Sequence, residues 1–158
     1  MTLLASSEFA RFLKAAKQAT YAGQNDAASV APLLPGSKQL EFAEGDFFYR
    51  DVYVGMCRFV GQEIVYLSGK PVWSMSYSGG LLPDTPQAAA KVIYAFLRTA
   101  LRALPAAFPV RGPASFEVGS YRYVCQYSGC LGAFQGHEII SGTGFPVYEL
   151  HFSGGLLA

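Results

Sequence analysis

Charge, cysteine and long apolar runs are all scarce in this sequence, and each shortage excludes a class of protein. Charged residues make up only 15% of the chain, the formal net charge is +1, and lysine and arginine form no run. A nucleic-acid-binding surface needs clustered cations that displace counterions from phosphates, so no nucleic-acid partner is expected. The three cysteines are odd in number, which favours reduced thiols and a cytoplasmic location over a disulfide framework.

Hydrophobic residues are abundant but are not arranged for a membrane. They make up 51% of the sequence, which is typical of a folded globular chain. The longest apolar stretch, around Val92 to Leu104, is interrupted by Arg98 and Arg102, so no helix is expected to span a bilayer. The N-terminal segment carries charged side chains where a signal peptide would be apolar. We therefore expect one cytoplasmic domain over residues 1–158, with no membrane partner.

Self-similarity is the strongest positive feature of the sequence. Residues 61–82, GQEIVYLSGKPVWSMSYSGGLL, recur without gaps at 136–157 as GHEIISGTGFPVYELHFSGGLL. Eleven of the 22 aligned positions are identical, and most of the others keep their chemical character. The sequence therefore predicts an internal duplication, with repeat 1 at about 6–82 and repeat 2 at about 85–157.

Each repeat has the pattern of one helix followed by three strands. Helices are predicted from Ser6 or Ser7 to about Thr20, with Lys17 on the surface, and from Thr85 to Pro105. Strands are predicted at about 46–54, 59–67, 71–78, 120–128, 133–141 and 145–153. The polar segment 23–38 predicts a loop or a flap. We expect an α+β fold in which two α-β-β-β halves are related by a pseudo-twofold axis, with an antiparallel sheet and two helices packed on it.

Strand alternation assigns side chains to faces, and both repeats place a glutamate on an apolar face. In the second predicted strand of each repeat, Glu63 and Glu138 share their face mainly with apolar residues. A carboxylate in such a position is costly unless it is hydrogen-bonded, paired with a cation or directed into a cavity. The alternation of the neighbouring strands turns aromatic residues toward the same interior: Tyr49, Tyr123, Trp73, Tyr148 and Tyr77.

These residues predict a ligand-binding pocket with two carboxylates, Glu63 and Glu138, and aromatic walls. Charge and ring faces together suit an amphipathic or cationic small molecule. The alternative is that both glutamates are structural and are bonded to a tyrosine hydroxyl, a backbone amide or an arginine such as Arg50 or Arg111. The sequence leaves both interpretations open.

No metal ligands, catalytic residues or cofactor are predicted. His137 and His151 lack the close spacing of most metal ligands, and repeat 1 has Gln62 and Ser76 in their places. A nucleophile–base pair such as Cys125 with His151 has nothing in the sequence to bring it together. An enzyme that uses one repeat only is therefore the weakest of the functional hypotheses.

Several motifs resemble a bacterial family of domains of unknown function: PGSKQLEFAEGDFFYRDVYVG, GQEIVYLSGKPVWSMSYSG, FPVRGP, and GHEI followed by VYELHFSGG. Members of that family occur alone or behind an N-terminal helix-turn-helix of the XRE regulator type. The resemblance implies a context of transcriptional regulation but no reaction. This chain shows no helix-turn-helix, so DNA binding is not expected to carry over.

The favoured hypothesis is a non-enzymatic domain that binds a small effector molecule. The main alternative is a homodimerisation or protein-interaction module, in which exposed strand edges or aromatic patches meet a partner.

Overall fold

The computed structural model describes residues 7–23 and 28–157. Its elements in chain order are α1 (Ser7–Ala19), β1 (Ser29–Val30), β2 (Lys38–Glu44), β3 (Phe47–Gly55), β4 (Arg58–Leu67), β5 (Lys70–Leu81), α2 (Ala90–Arg102), β6 (Ser115–Val118), β7 (Tyr121–Cys130), β8 (Ala133–Gly142) and β9 (Phe145–Leu156). A short 3-10 helix, Gln87–Ala89, leads into α2. Strands take up 52% of the described residues and helices 20%, so the sheet dominates the fold.

All nine strands form one sheet in the order β1-β2-β3-β4-β5-β9-β8-β7-β6. Every neighbouring pair is antiparallel, and the pairing of β5 with β9 joins strands β1–β5 to strands β6–β9 at the centre of the sheet. In that central pair, Tyr77 lies opposite Phe152, the residue with which it aligns in the sequence. Trp73 lies opposite Leu156, and Leu81 opposite Tyr148. The pairing of β5 with β9 is therefore symmetric: replacing each residue by the one with which it aligns gives the same set of residue pairs.

The prediction of two α-β-β-β halves is wrong. All six predicted strands are present as β3, β4, β5, β7, β8 and β9, but they belong to one continuous sheet and three further strands extend it. The missed strands β1, β2 and β6 are short or lie near the sheet edges, and most of their residues are exposed or half-buried. Such strands show little apolar alternation, which is why the sequence pattern did not reveal them. The predicted loop 23–38 contains β1, and its residues 24–27 lie outside the described chain.

The two helices pack on one face of the sheet and enclose the core with it. The buried face of α1 consists of Phe9, Phe12, Leu13 and Ala16, and that of α2 of Ile93, Phe96, Leu97, Ala100 and Leu101. The α1 helix contacts β2 and β3, α2 contacts β6 and β7, and the helices contact each other. Burying one such large apolar side chain stabilises the fold by about 1.5–3 kcal/mol. Neither helix of the described chain has the length and apolarity required to cross a bilayer.

The β4–β5 and β8–β9 hairpins contain the same irregularity. Pairing next to the turns runs as far as Tyr66 opposite Pro71 and Ser141 opposite Pro146, and beyond these pairs the register shifts by one residue. Proline cannot donate a backbone hydrogen bond to a neighbouring strand, so a β-bulge is a natural place for it. The shift decides which side chains of the paired strands lie opposite one another.

Candidate functional site

A cavity of about 420 Å³ lies between the two helices and strands β3, β4 and β5. Aromatic rings form much of its wall: Tyr21, Tyr53, Phe59, Tyr77 and Tyr94. Among the described residues, the lysine, arginine, aspartate and glutamate side chains that also line it are Lys17, Lys38, Asp51, Glu63, Lys91, Arg98 and Arg111. The cavity therefore combines apolar surface with charged groups, several of which are buried.

Lys17 and Glu63 form a buried ion pair at this cavity. The Lys17 ammonium also donates a hydrogen bond of 2.8 Å to the carbonyl of Val110, in the segment after α2. Burial lowers the pKa of Lys17, and the negative charge of Glu63 opposes that shift. The prediction that Lys17 lies on the surface is wrong. Lys17 follows Leu13 by one helical turn, so it continues the buried stripe of α1.

Asp51 places a second carboxylate beside Glu63. The two residues are directly paired across β3 and β4, and both are buried. The hydroxyl of Tyr77 donates a hydrogen bond of 2.6 Å to Asp51 Oδ1. Burial, followed by the neighbouring charge of Glu63, raises the pKa of Asp51 to about 7. The protonation state of Asp51, and hence the charge of the cavity, therefore changes near neutral pH.

Gly61 makes the contact between Tyr77 and Asp51 sterically feasible. It lies between Tyr53 and Tyr77 in the sheet, and a Cβ atom at this position would be 2.3 Å from the Tyr77 hydroxyl oxygen. The absence of a side chain leaves room for the tyrosine ring to cross β4. Gly136 gives the same room to the ring of Phe152 in repeat 2, which explains why both repeats have glycine here.

Glu138 lies in a closed network in repeat 2. Both of its carboxylate oxygens accept hydrogen bonds from Arg111, with Nε to Oε2 at 3.0 Å and Nη2 paired with Oε1. The hydroxyls of Tyr123 and Tyr148 donate to the same carboxylate at 2.5 Å and 2.8 Å. Burial lowers the pKa of Arg111, but the charge of Glu138 outweighs it, and the net pKa lies well above the usual value. Arg111 thus stays a cation at every pH at which the protein is folded.

The structure separates the residues that the sequence grouped in one pocket. Glu63 and Tyr77 line the cavity, and Glu138 is 0% exposed with four bonds to its carboxylate. The remaining predicted wall residues are fully buried in the core and do not line the cavity: Tyr49, Trp73, Tyr123 and Tyr148. The geometry at Glu138 matches the structural alternative, in which an arginine and tyrosine hydroxyls hold the carboxylate.

Several residues that line the cavity were not among the predicted site residues, above all Lys17, Asp51 and Arg98. A signal for Asp51 was present, because it alternates with Tyr49 and Tyr53 on the inner face of β3. Lys17 could have been recognised from its position on the apolar stripe of α1. Nothing in the local sequence of α2 indicates that Arg98 borders a cavity.

Cys125 and His151, which nothing in the sequence brings together, do not form a nucleophile–base pair in the structure either. Cys125 lies opposite Glu138 on the inner face of the sheet, whereas His151 lies opposite His137 on the outer face. Both histidines of the chain are thus separated from the cavity by the thickness of the sheet.

The fold and the cavity define a single-sheet domain that holds a polar, ring-walled pocket under two helices. The chain belongs to the family described as domain of unknown function (DUF5680), whose model matches residues 51–157. That range includes Asp51, Glu63 and Arg111, while Lys17 precedes it. No curated protein and no solved structure matches the chain.

Proposed function

We propose that this protein is a non-enzymatic small-molecule-binding domain whose site is the cavity between α1, α2 and strands β3, β4 and β5. The observation that carries the proposal is the convergence of Lys17, Asp51 and Glu63 on a ring-walled cavity of about 420 Å³. Ligand pockets typically have volumes of about 300–1,000 Å³ and combine apolar walls with a few polar groups that fix orientation. Burying such groups is costly, and a site that uses them offsets that cost.

The aromatic wall supports a ligand with a flat or apolar body. The rings of Tyr53, Phe59 and Tyr94 line the cavity, and Phe59 packs edge-to-face against the other two. Aromatic pairs in this arrangement contribute about 0.5–1.5 kcal/mol beyond area burial. The hydroxyl of Tyr94 is engaged with the carbonyl of Cys57 at 2.9 Å, so its ring is held in place. An amphipathic molecule thus fits the wall better than a uniformly polar one.

The charges around the cavity favour an acidic group on the ligand over a cationic one. Glu63 is paired with Lys17, and Arg111 is paired with Glu138 behind the cavity wall. Three further cations line the cavity and have no carboxylate within ion-pair distance in the described ranges: Lys38, Lys91 and Arg98. Among the described residues that line the cavity, Asp51 is the only carboxylate without a cationic partner, and its pKa of about 7 leaves it partly neutral at physiological pH. The excess of positive charge attracts a carboxylate, a sulfonate or a phosphate.

The resemblance to domains that follow XRE-type regulators supports an effector-sensing role for the same pocket.

Matched probes test both the pocket and the sign of the ligand charge. We expect 1-naphthoic acid to bind more tightly than 1-naphthylmethylamine in isothermal titration calorimetry at pH 8. Arg98→Ala is expected to weaken binding of the acid by roughly tenfold, because it removes one charge-assisted contact. Arg122→Ala is the matched control, since Arg122 is exposed on β7 and paired with Glu117.

Amide chemical shifts locate the bound probe independently of affinity. The acid is expected to perturb residues of α1, α2, β3 and β4, with Asp51 and Glu63 among them. Tighter binding of the amine would overturn the ligand class but keep the pocket. Shift changes confined to the outer face, or no binding of either probe, would overturn the pocket itself.

A further inference from the structure

The outer face of repeat 2 brings both histidines of the chain together with a glutamate. His137 on β8 lies directly opposite His151 on β9, and Glu149 precedes His151 by two residues on the same face. The imidazole rings are stacked with centroids 4.2 Å apart, and His137 Nε2 lies 3.8 Å from Glu149 Oε2. One ligand atom from each of the three residues lies within 4.8 Å of the others.

Within the described chain, this cluster leaves a polar atom without a partner. His137 Nε2 is shielded from solvent and has no hydrogen-bond partner among the described residues. A shielded nitrogen without a partner costs about 1–3 kcal/mol. A cation bound between the ring nitrogens and Glu149 would use that nitrogen as a ligand.

Repeat 1 provides a built-in comparison at the same sheet positions. The residues aligned with His137, Glu149 and His151 are Gln62, Ser74 and Ser76. There, Gln62 Nε2 donates a hydrogen bond of 3.1 Å to Ser74 Oγ, and Ser74 Oγ donates to the carbonyl of Glu63 at 2.8 Å. Gln62 and Ser74 of repeat 1 are therefore hydrogen-bonded within the protein. Repeat 2 has metal-ligating side chains at all three positions.

We propose that His137, Glu149 and His151 form a binding site for a divalent transition metal such as Zn²⁺. Two imidazole nitrogens and one carboxylate oxygen are a ligand set that suits zinc, nickel and copper, whereas magnesium and calcium prefer oxygen ligands. The ligand atoms are farther apart than in a closed site, because zinc–ligand bonds are about 2.0–2.2 Å long. Binding draws the side chains inward and unstacks the rings. The shallow groove beside the cluster leaves the remaining coordination position open to water or a ligand.

Spacing along the chain, from which no metal ligands were predicted, does not indicate this proposed site. His137 and His151 are far apart in sequence, and only the pairing of β8 with β9 brings them opposite each other. The site is also separate from the cavity, since the sheet lies between them.

Metal titration of the full chain tests the site, using Zn²⁺ and Ni²⁺ against a chromophoric chelator after prior removal of metal. One equivalent is expected to bind, and His137→Gln or His151→Ser alone is expected to weaken binding by about tenfold or more. The triple variant His137→Gln, Glu149→Ser, His151→Ser installs the repeat 1 residues and is expected to abolish binding. Those residues already occupy the same sheet positions in repeat 1, so the variant is expected to fold, which circular dichroism checks.

The exposed thiol is the control for unspecific binding. Cys130→Ser is expected to bind metal as the unaltered protein does, because Cys130 is exposed at the end of β7. A second readout is the visible spectrum of bound Co²⁺, which reports the coordination sphere. Undiminished binding by the folded triple variant, loss of binding in Cys130→Ser, or the absence of stoichiometric binding would each overturn the proposal.

Discussion

Glu63 and Glu138 occupy aligned positions in the two repeats, yet their surroundings differ. Glu138 accepts from two nitrogens of the Arg111 guanidinium and from two tyrosine hydroxyls, so each of its carboxylate oxygens has two hydrogen bonds. Glu63 has one lysine, a second carboxylate beside it and a cavity in front of it. Removing a partner from a buried charge that is satisfied within the protein destabilises the fold, whereas an incompletely satisfied charge is available to a ligand.

Three exchanges of side chain contribute to the difference. Tyr148 and Cys125 of repeat 2 correspond to Trp73 and Asp51 of repeat 1, and Phe152 corresponds to Tyr77. The indole of Trp73 donates to the carbonyl of Leu131 at 3.0 Å and therefore provides no hydroxyl for Glu63. The hydroxyl of Tyr77, which Phe152 lacks, donates its hydrogen bond to Asp51, the carboxylate that stands where repeat 2 has Cys125. Repeat 1 thus has one acid more than repeat 2. In the described chain Glu63 accepts from neither Tyr49 nor Trp73, whereas the aligned Tyr123 and Tyr148 both donate to Glu138.

The largest expected effect comes from removing the cation of the closed network. Arg111→Met leaves Glu138 buried without a cation and is expected to lower the free energy of unfolding by about 3–5 kcal/mol. Lys17→Met removes the corresponding cation of repeat 1 and is expected to cost about half as much, because the cavity admits water to Glu63. Urea unfolding at pH 8 measures both. Equal losses would show that the two glutamates are equally enclosed, which would break the comparison.

A pH-dependent difference is expected at Asp51. Its pKa is about 7 in the folded protein and about 3.9 in the unfolded chain, so between these values only the folded state holds the proton. Stability due to Asp51 is therefore present at low pH and falls as the pH rises from about 4 to about 7. Asp51→Asn cannot ionise, so its stability relative to the unaltered protein should improve by about 2–4 kcal/mol between pH 4 and pH 8.

The control for this measurement is an exposed aspartate. Asp84 lies on the surface between β5 and α2, so Asp84→Asn should follow the unaltered protein across the whole pH range. A flat difference curve for Asp51→Asn from pH 4 to pH 8 would show that Asp51 is ionised in the folded state at all these values. The cavity would then carry a permanent negative charge, and the preference for an acidic ligand would weaken.

The sequence predicted the interior position of both glutamates but not the difference between them. Alternation in β4 and β8 is a local property, and it is sufficient to turn Glu63 and Glu138 to the apolar face. Their partners come from elsewhere: Lys17 from α1 and Arg111 from the segment between α2 and β6. Pairings over such distances follow from tertiary packing, which no local pattern encodes.

The pairing of His137 with His151 depends on one β-bulge, so it could not be predicted by counting residues from the hairpin turn. Counting outward from the turn of the β8–β9 hairpin without a bulge would place His137 opposite Leu150, which is an inner-face residue. The register shift between Ile140 and Ser141 moves His137 opposite His151 instead. Pro146 marks the place, as Pro71 does in repeat 1, and a proline inside a predicted strand is the signal that would have located the bulge.

The smallest expected effect, and the most specific one, concerns the hydroxyl of Tyr77. Tyr77→Phe gives repeat 1 the residue of repeat 2 and removes the donor to Asp51. A hydrogen bond to a charged group is worth about 1.5–3 kcal/mol and one to a neutral group about 1 kcal/mol, so the loss should be greater at pH 8 than at pH 5. In an Asp51→Asn background the pH dependence of that loss should vanish, and a double-mutant cycle measured at both pH values isolates it. If instead the cycle gives the same coupling free energy at pH 5 and pH 8, the Tyr77 hydroxyl does not respond to the charge of Asp51. The polar end of the cavity would then be as closed as the network around Glu138.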